Sequence, residues 1–197
     1  MALPRDAGSK LADTIFDLVL QVPASSEPQA EHPQARVHRL GRTAARQASV
    51  LAGSLALPPG VLGWLTILPE LIGVWKLQSQ MVSDIASVYG KTATLNREQM
   101  LYCLFKHVSA QLFRDVVVRT GERMLIRRAS VNALQALAQR LGVKIAHGTF
   151  AKGASRFVPL LGAVGVGAYA YFDTMQVAKT ASELFARDIV IEAPPGI

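Results

Sequence analysis

The chain has a single cysteine, Cys103, in 197 residues. One thiol excludes a disulfide framework and any multi-cysteine zinc site. Charged residues make up only 18% and apolar ones 50%, which excludes intrinsic disorder and coiled coil. Aromatics are scarce at 7%, and no aromatic interleaving supports nucleic-acid binding by stacking. No G-x-S-x-G, Walker A or H-E-x-x-H pattern occurs, and G-x-G-x-x-G never follows a strand. The four histidines, His32, His38, His107 and His147, have no metal-ligand spacing. The residues therefore give no reason to expect an enzyme, a metal or a cofactor.

What is present is positive charge, unevenly spread within a net +7. Met1–Ala35 holds 2 basic and 5 acidic residues, Arg36–Arg156 17 and 5, and Phe157 onward 2 and 4. A cationic middle between weakly acidic ends suits an anionic partner, a phospholipid surface or nucleic acid, or else a solvated basic surface. Arginine outnumbers lysine 14 to 7, and guanidinium forks bind oxyanions bidentately. No nucleic-acid motif accompanies the charge, which places nucleic acid behind a membrane surface. Asp13 and Asp17 interrupt the first apolar stretch, so it does not read as a secretory segment. The expected location is cytoplasmic, peripheral to the inner membrane.

Helical spacing dominates the chain. Leu11, Ile15, Leu18 and Val22 predict an amphipathic helix with Ser9 as a cap, and Pro23–Gln34 reads as a linker or a belt across the surface. This makes 1–35 an N-terminal helix and linker, 36–193 a helical domain, and 194–197 a tail. Val37, Leu40, Ala44, Ala48, Leu51 and Leu55 form an apolar stripe. Arg36, His38, Arg39, Arg42 and Arg46 gather opposite it, as anionic-lipid or phosphate contacts. Arg123, Arg127 and Arg128 either add to that face or form a solvated one.

Pro58-Pro59-Gly60 breaks the chain, and a helix is expected over Val61–Tyr89, kinked at Pro69 and stopped by Gly90. Asn96 with Gln99 resembles a capping box opening a helix through Arg119 and beyond. Ser130 is expected to cap Val131–Leu141, ending at Gly142. A Gly-rich helix over Phe157–Phe172 continues into Met175–Ala186. No period-2 alternation stands out. The expected fold is all-α, a single-domain bundle with kinked, Gly-rich apolar helices.

Gln47–Pro69 runs 23 residues without a charge, long enough to cross a bilayer but for its Pro-Pro-Gly. Phe157–Phe172, at 16 residues, is short for an upright span. Three readings stay open: shallow insertion, buried core, or the wall of an apolar ligand cavity. On the first, Leu57, Val61, Leu62, Trp64 and Leu65 insert or dock on a membrane protein. Gly162, Ala163 and Gly167 form a small-residue strip for close helix packing. Glu70 is either the exposed start of a helix after Pro69 or a buried functional acid. Cys103, within Leu101–Phe105, reads as a buried, inert thiol.

Two blocks together resemble the EcsC protein family. The first is Leu57-Pro-Pro-Gly60, then Leu68-Pro69-Glu70-Leu71, ending in Ala86-Ser-Val-Tyr89-Gly90. The second is Lys152, Val158-Pro159-Leu-Leu-Gly162-Ala163, then Thr174 and Ala178. They span about Leu57–Phe185. Family members often carry an asparagine near Ala170 and a glycine near Val166; here Gly165 and Gly167 flank that site instead. The resemblance implies an all-helical bacterial protein without established enzymatic activity. It also implies membrane association and a regulatory or accessory part beside a transporter, and it supplies no catalytic residues. The alternative is a soluble helical module that binds an apolar ligand or a partner protein.

Overall fold

A computed structural model describes residues 7–55, 63–113, 116–120, 123–151 and 159–192. Six α-helices fill most of this: α1 (Ala7–Leu20), α2 (Pro33–Leu55), α3 (Gly63–Val88), α4 (Arg97–Phe105), α5 (Val131–Ala151) and α6 (Pro159–Phe185). Three short strands, β1 (Val117–Thr120), β2 (Arg123–Arg127) and β3 (Asp188–Glu192), join in one sheet with β2 central. The all-α expectation is thus corrected to a mainly helical fold with a small sheet.

The core explains the helices. Leu11 and Ile15 of α1, Trp75, Met81, Val82 and Ile85 of α3, and Met100–Phe105 of α4 meet Leu134–Leu141 of α5 and Val177–Phe185 of α6. Each large side chain withdrawn from water contributes about 1.5–3 kcal/mol. α1 packs chiefly on α5, so the N-terminal helix is built into the same core as the rest. Ser9 lies within α1 rather than capping it.

Residues 21–32 form a belt along α3. The Ala30 amide donates to the Val88 carbonyl at 3.1 Å, and Gln80 Nε2 donates to the Ala24 carbonyl at 3.0 Å. Ser25 Oγ donates to Asp84 Oδ1 at 2.7 Å. Gly90 ends α3 as expected. With φ at +71° it lets its own amide reach Ser87 and the Lys91 amide reach Ala86, both at 2.8 Å, the paired bonds of a Schellman stop. Pro69 lies inside α3, which continues through it.

Asn96 and Gln99 do form a reciprocal capping box at 2.9 Å on each arm. The helix it opens ends at Phe105, not beyond Arg119. The reason is the β-branched run Val116–Val118, which pairs with β2: Val117 lies against Ile126 and Thr120 against Arg123, antiparallel. β3 adds parallel to β2, Met124 against Ile189 and Ile126 against Ile191. Met124 and Ile126 point into the core. Glu98 Oε1 accepts the Ala129 amide at 2.8 Å, pinning the exit of β2 to the start of α4. Ser130 Oγ accepts the Ala133 amide at the start of α5. α5 then runs through Gly142 to Ala151, because a buried helical glycine costs only about 1 kcal/mol and its neighbour Leu141 fills the core.

Candidate functional site

α2 and α6 lie side by side and antiparallel. Gly41 faces Ala178, where an added Cβ would stand 3.0 Å from the alanine methyl, and Gly167 faces the Ser49 carbonyl at 2.9 Å. At Gly167 a side chain would press on backbone, and at Gly41 it would fit only if Ala178 gave way by a few tenths of an ångström. Gly162 and Ala163, the other members of the small-residue strip, belong to the first turns of α6; their contacts lie outside the described residues.

Ala44, Ala45, Ala48 and Ala52 are buried, which turns the opposite side of α2 to water. Arg39, Arg42 and Arg46 are exposed on that side and form no ion pair with any described residue. Arg36 is placed differently. Its Nε and Nη2 both donate to Glu27 Oε2 of the belt, at 2.8 and 2.5 Å. The basic stripe is therefore three arginines, with the fourth engaged within the chain. Arg123 and Arg127 are exposed on β2 and Arg128 just after it, on the sheet rather than on α2.

The contact register of the helix pair sets Phe172 of α6 level with Arg46 of α2. Helical spacing turns both to the outward side. Phe172 is 68% exposed, and Val50 and Val164, nearer the same end of the pair, are 73% and 70% exposed. The Phe172 ring meets that of Tyr171 edge-on at 5.8 Å, which holds it in place at the surface. Leu57, Val61 and Leu62 lie outside the described residues. Trp64 and Leu65 are in the first turn of α3, but their side chains are outside what is described.

Behind this face runs a polar network that spans three elements. Asp173 Oδ1 of α6 pairs with His107 Nε2 at 2.7 Å, and Oδ2 accepts Gln78 Nε2 of α3 at 2.8 Å. The same Gln78 nitrogen reaches Thr174 Oγ1 at 3.1 Å. Gln78 and Thr174 are fully buried, and Gln78 Oε1 has no hydrogen-bond partner among the described residues. The carboxylate fixes the amide orientation, because only the NH₂ side can donate to it. Burial, then the charge of Asp173, pushes the Tyr169 phenol above its ordinary pKa.

His107 also edges an open cleft of about 540 Å³ between the exit of α4, α5 and α6. Lys106, Lys144 and Lys179 line it. Lys144 Nζ donates to the buried Ser109 Oγ at 2.9 Å. Glu183 stands 3.6 Å from Lys106 and 4.0 Å from Lys179. Sequence reasoning missed this group. His107 and Asp173 are 66 positions apart, and nothing local marks such a pairing.

The nucleophile candidates are poorly placed for covalent chemistry. Cys103 is completely buried, and burial raises its thiol far above the ordinary range, against a smaller opposing pull from Lys106. Ser109 bonds to an exposed lysine rather than to His107. Glu70 is 6% exposed, seven residues inside α3, and has an interaction partner. It is therefore not the exposed start of a helix. Among the described residues no group of three or more His, Cys, Asp or Glu could hold a metal, and no helix is long and apolar enough to cross a membrane. No family model, no curated protein and no solved structure matches the chain.

Proposed function

We propose that this protein associates peripherally with an anionic membrane surface, on its cytoplasmic side, through the outward face of α2 and α6. The observation that carries the reading is the placement of exposed Phe172 level with Arg46, beside Arg39 and Arg42 on the neighbouring helix. Arginines reach headgroup phosphates while an aromatic ring and the valines Val50 and Val164 enter the interfacial layer.

An accessory or regulatory role at a membrane or transporter follows from the resemblance to the EcsC family, with no catalysis assigned to it. Two of the resembling positions have structural work: Gly90 stops α3, and Thr174 takes the Gln78 amide. An apolar ligand finds less support. The gap lined by Phe16, Leu20, Leu101, Leu134 and Ala138 has no room for a water molecule, and the two larger clefts are open and mix apolar residues with charged ones such as Lys179 and Glu183.

Co-sedimentation with vesicles tests the proposal. The protein is expected to bind vesicles containing phosphatidylglycerol and not those of phosphatidylcholine alone, and to be released by salt. At about 1 kcal/mol for each basic residue at the surface, the triple variant R39Q/R42Q/R46Q loses roughly a hundredfold in partitioning. F172S weakens binding that persists at high salt. Equal recovery in the supernatant with and without anionic lipid would overturn the reading.

A further inference from the structure

The lysine-lined cleft has a different character from the α2–α6 face. Three ammonium groups converge on it against the single carboxylate of Glu183, which stands between two of them. One such acid leaves a net of two positive charges on the lining of this cleft, and like charges sharing one concave lining repel. Lys144 is nonetheless held in place by Ser109 Oγ, an acceptor on a residue only 7% exposed. An ammonium has three protons and this contact uses one. The Ser109 hydroxyl, accepting from Lys144, keeps its own proton to donate, and Thr180 adds another hydroxyl to the wall.

The lower rim is rigid. Lys106 follows directly on α4, with its amide donating to the Tyr102 carbonyl and its ammonium over the Tyr102 ring at 5.2 Å. Tyr102 is locked edge-on against Phe113 at 5.7 Å. His107 is tied to Asp173, whose second oxygen is braced by buried Gln78. Lys106, His107 and Lys144 are thus held by contacts to Tyr102, Asp173 and Ser109, which lowers the ordering cost of binding at these three, while Lys179 is exposed at the rim. A volume of about 540 Å³ lies within the range of small-molecule sites.

We infer that this cleft binds a small, multiply charged oxyanion, such as a phosphate ester or a polycarboxylate, between Lys106, Lys144 and Lys179. The anion relieves the repulsion among the lysines and receives the hydroxyl protons of Ser109 and Thr180. An apolar compound would leave these donors desolvated and unpaired, which disfavours it.

Calorimetric titration of the full chain with inorganic pyrophosphate tests the inference, with citrate in a second arm. Saturable one-to-one binding is expected for at least one of them, and which one binds tells phosphate from carboxylate. The exposed-lysine variants K144M and K179M keep the fold, checked by circular dichroism, and each weakens binding roughly tenfold or more. The R39Q/R42Q/R46Q variant separates a free anion from a lipid headgroup. It is expected to lose vesicle binding while retaining the affinity for the soluble anion. Non-saturating titrations in both arms, or affinity unchanged in K144M and K179M, would overturn the inference and leave the membrane reading untouched.

Discussion

Cys103 shows how burial decides chemistry at the scale of one residue. It lies in α4 among Leu101, Tyr102, Leu104 and Phe105, all buried, and its thiol is held neutral by desolvation. Only the thiolate attacks disulfide reagents. The folded protein is therefore expected to react with a chromogenic disulfide orders of magnitude more slowly than in denaturant, where one thiol titrates at once. Rapid native reaction would show that α4 opens readily. The inert thiol was legible in the apolar run around it. Glu70 was legible as an unusual acid, yet its burial was not, because one carboxylate in an apolar stretch suits an exposed helix start as well as a buried position. His107 has no partner that local spacing marks; it pairs with Asp173 of α6 at 2.7 Å.

Among the elements, the glycines of α6 separate two roles that spacing cannot. Gly167 touches the Ser49 backbone, whereas nothing lies within 4 Å of a Cβ added at Gly165. G167A is expected to lower stability by about 1–3 kcal/mol, since backbone must move to admit the methyl. G165A is expected to be neutral or to gain up to about 1 kcal/mol, because alanine is the better helix former. Urea unfolding of the two variants checks this, and equal midpoints would sink the close-packing account. Helix positions were readable from period and caps: the Asn96–Gln99 box and the Gly90 stop stand where the residue types put them. The strands were not. At four or five residues each, they are too short for alternation to register, and β3 gains its meaning only from pairing with β2, over 60 residues earlier.

For the molecule as a whole, α1 is the telling case. Its sequence is separated from the bundle by a proline-containing belt, but Leu11 and Ile15 are part of the same core as Trp75, Leu104 and Leu141. The belt is fastened along α3 by Ser25, Ala30 and Gln80. Thermal or urea unfolding is thus expected to be one transition, with far-ultraviolet circular dichroism and tryptophan fluorescence coinciding. An early step in helicity alone would mean that α1 detaches from the rest.

Charge balance, the helical periods and their stops depend on residue type and local spacing, so the chain alone determined a mainly helical fold, a basic stripe on α2 and an unreactive cysteine. Which arginines remain free, which acid meets which histidine, and where three lysines converge depend on contacts between residues far apart in sequence. Only packing of α2 on α6, and of the α4 exit against α5 and α6, decided those, because side chains on different helices acquire a distance only when the core sets the helices side by side.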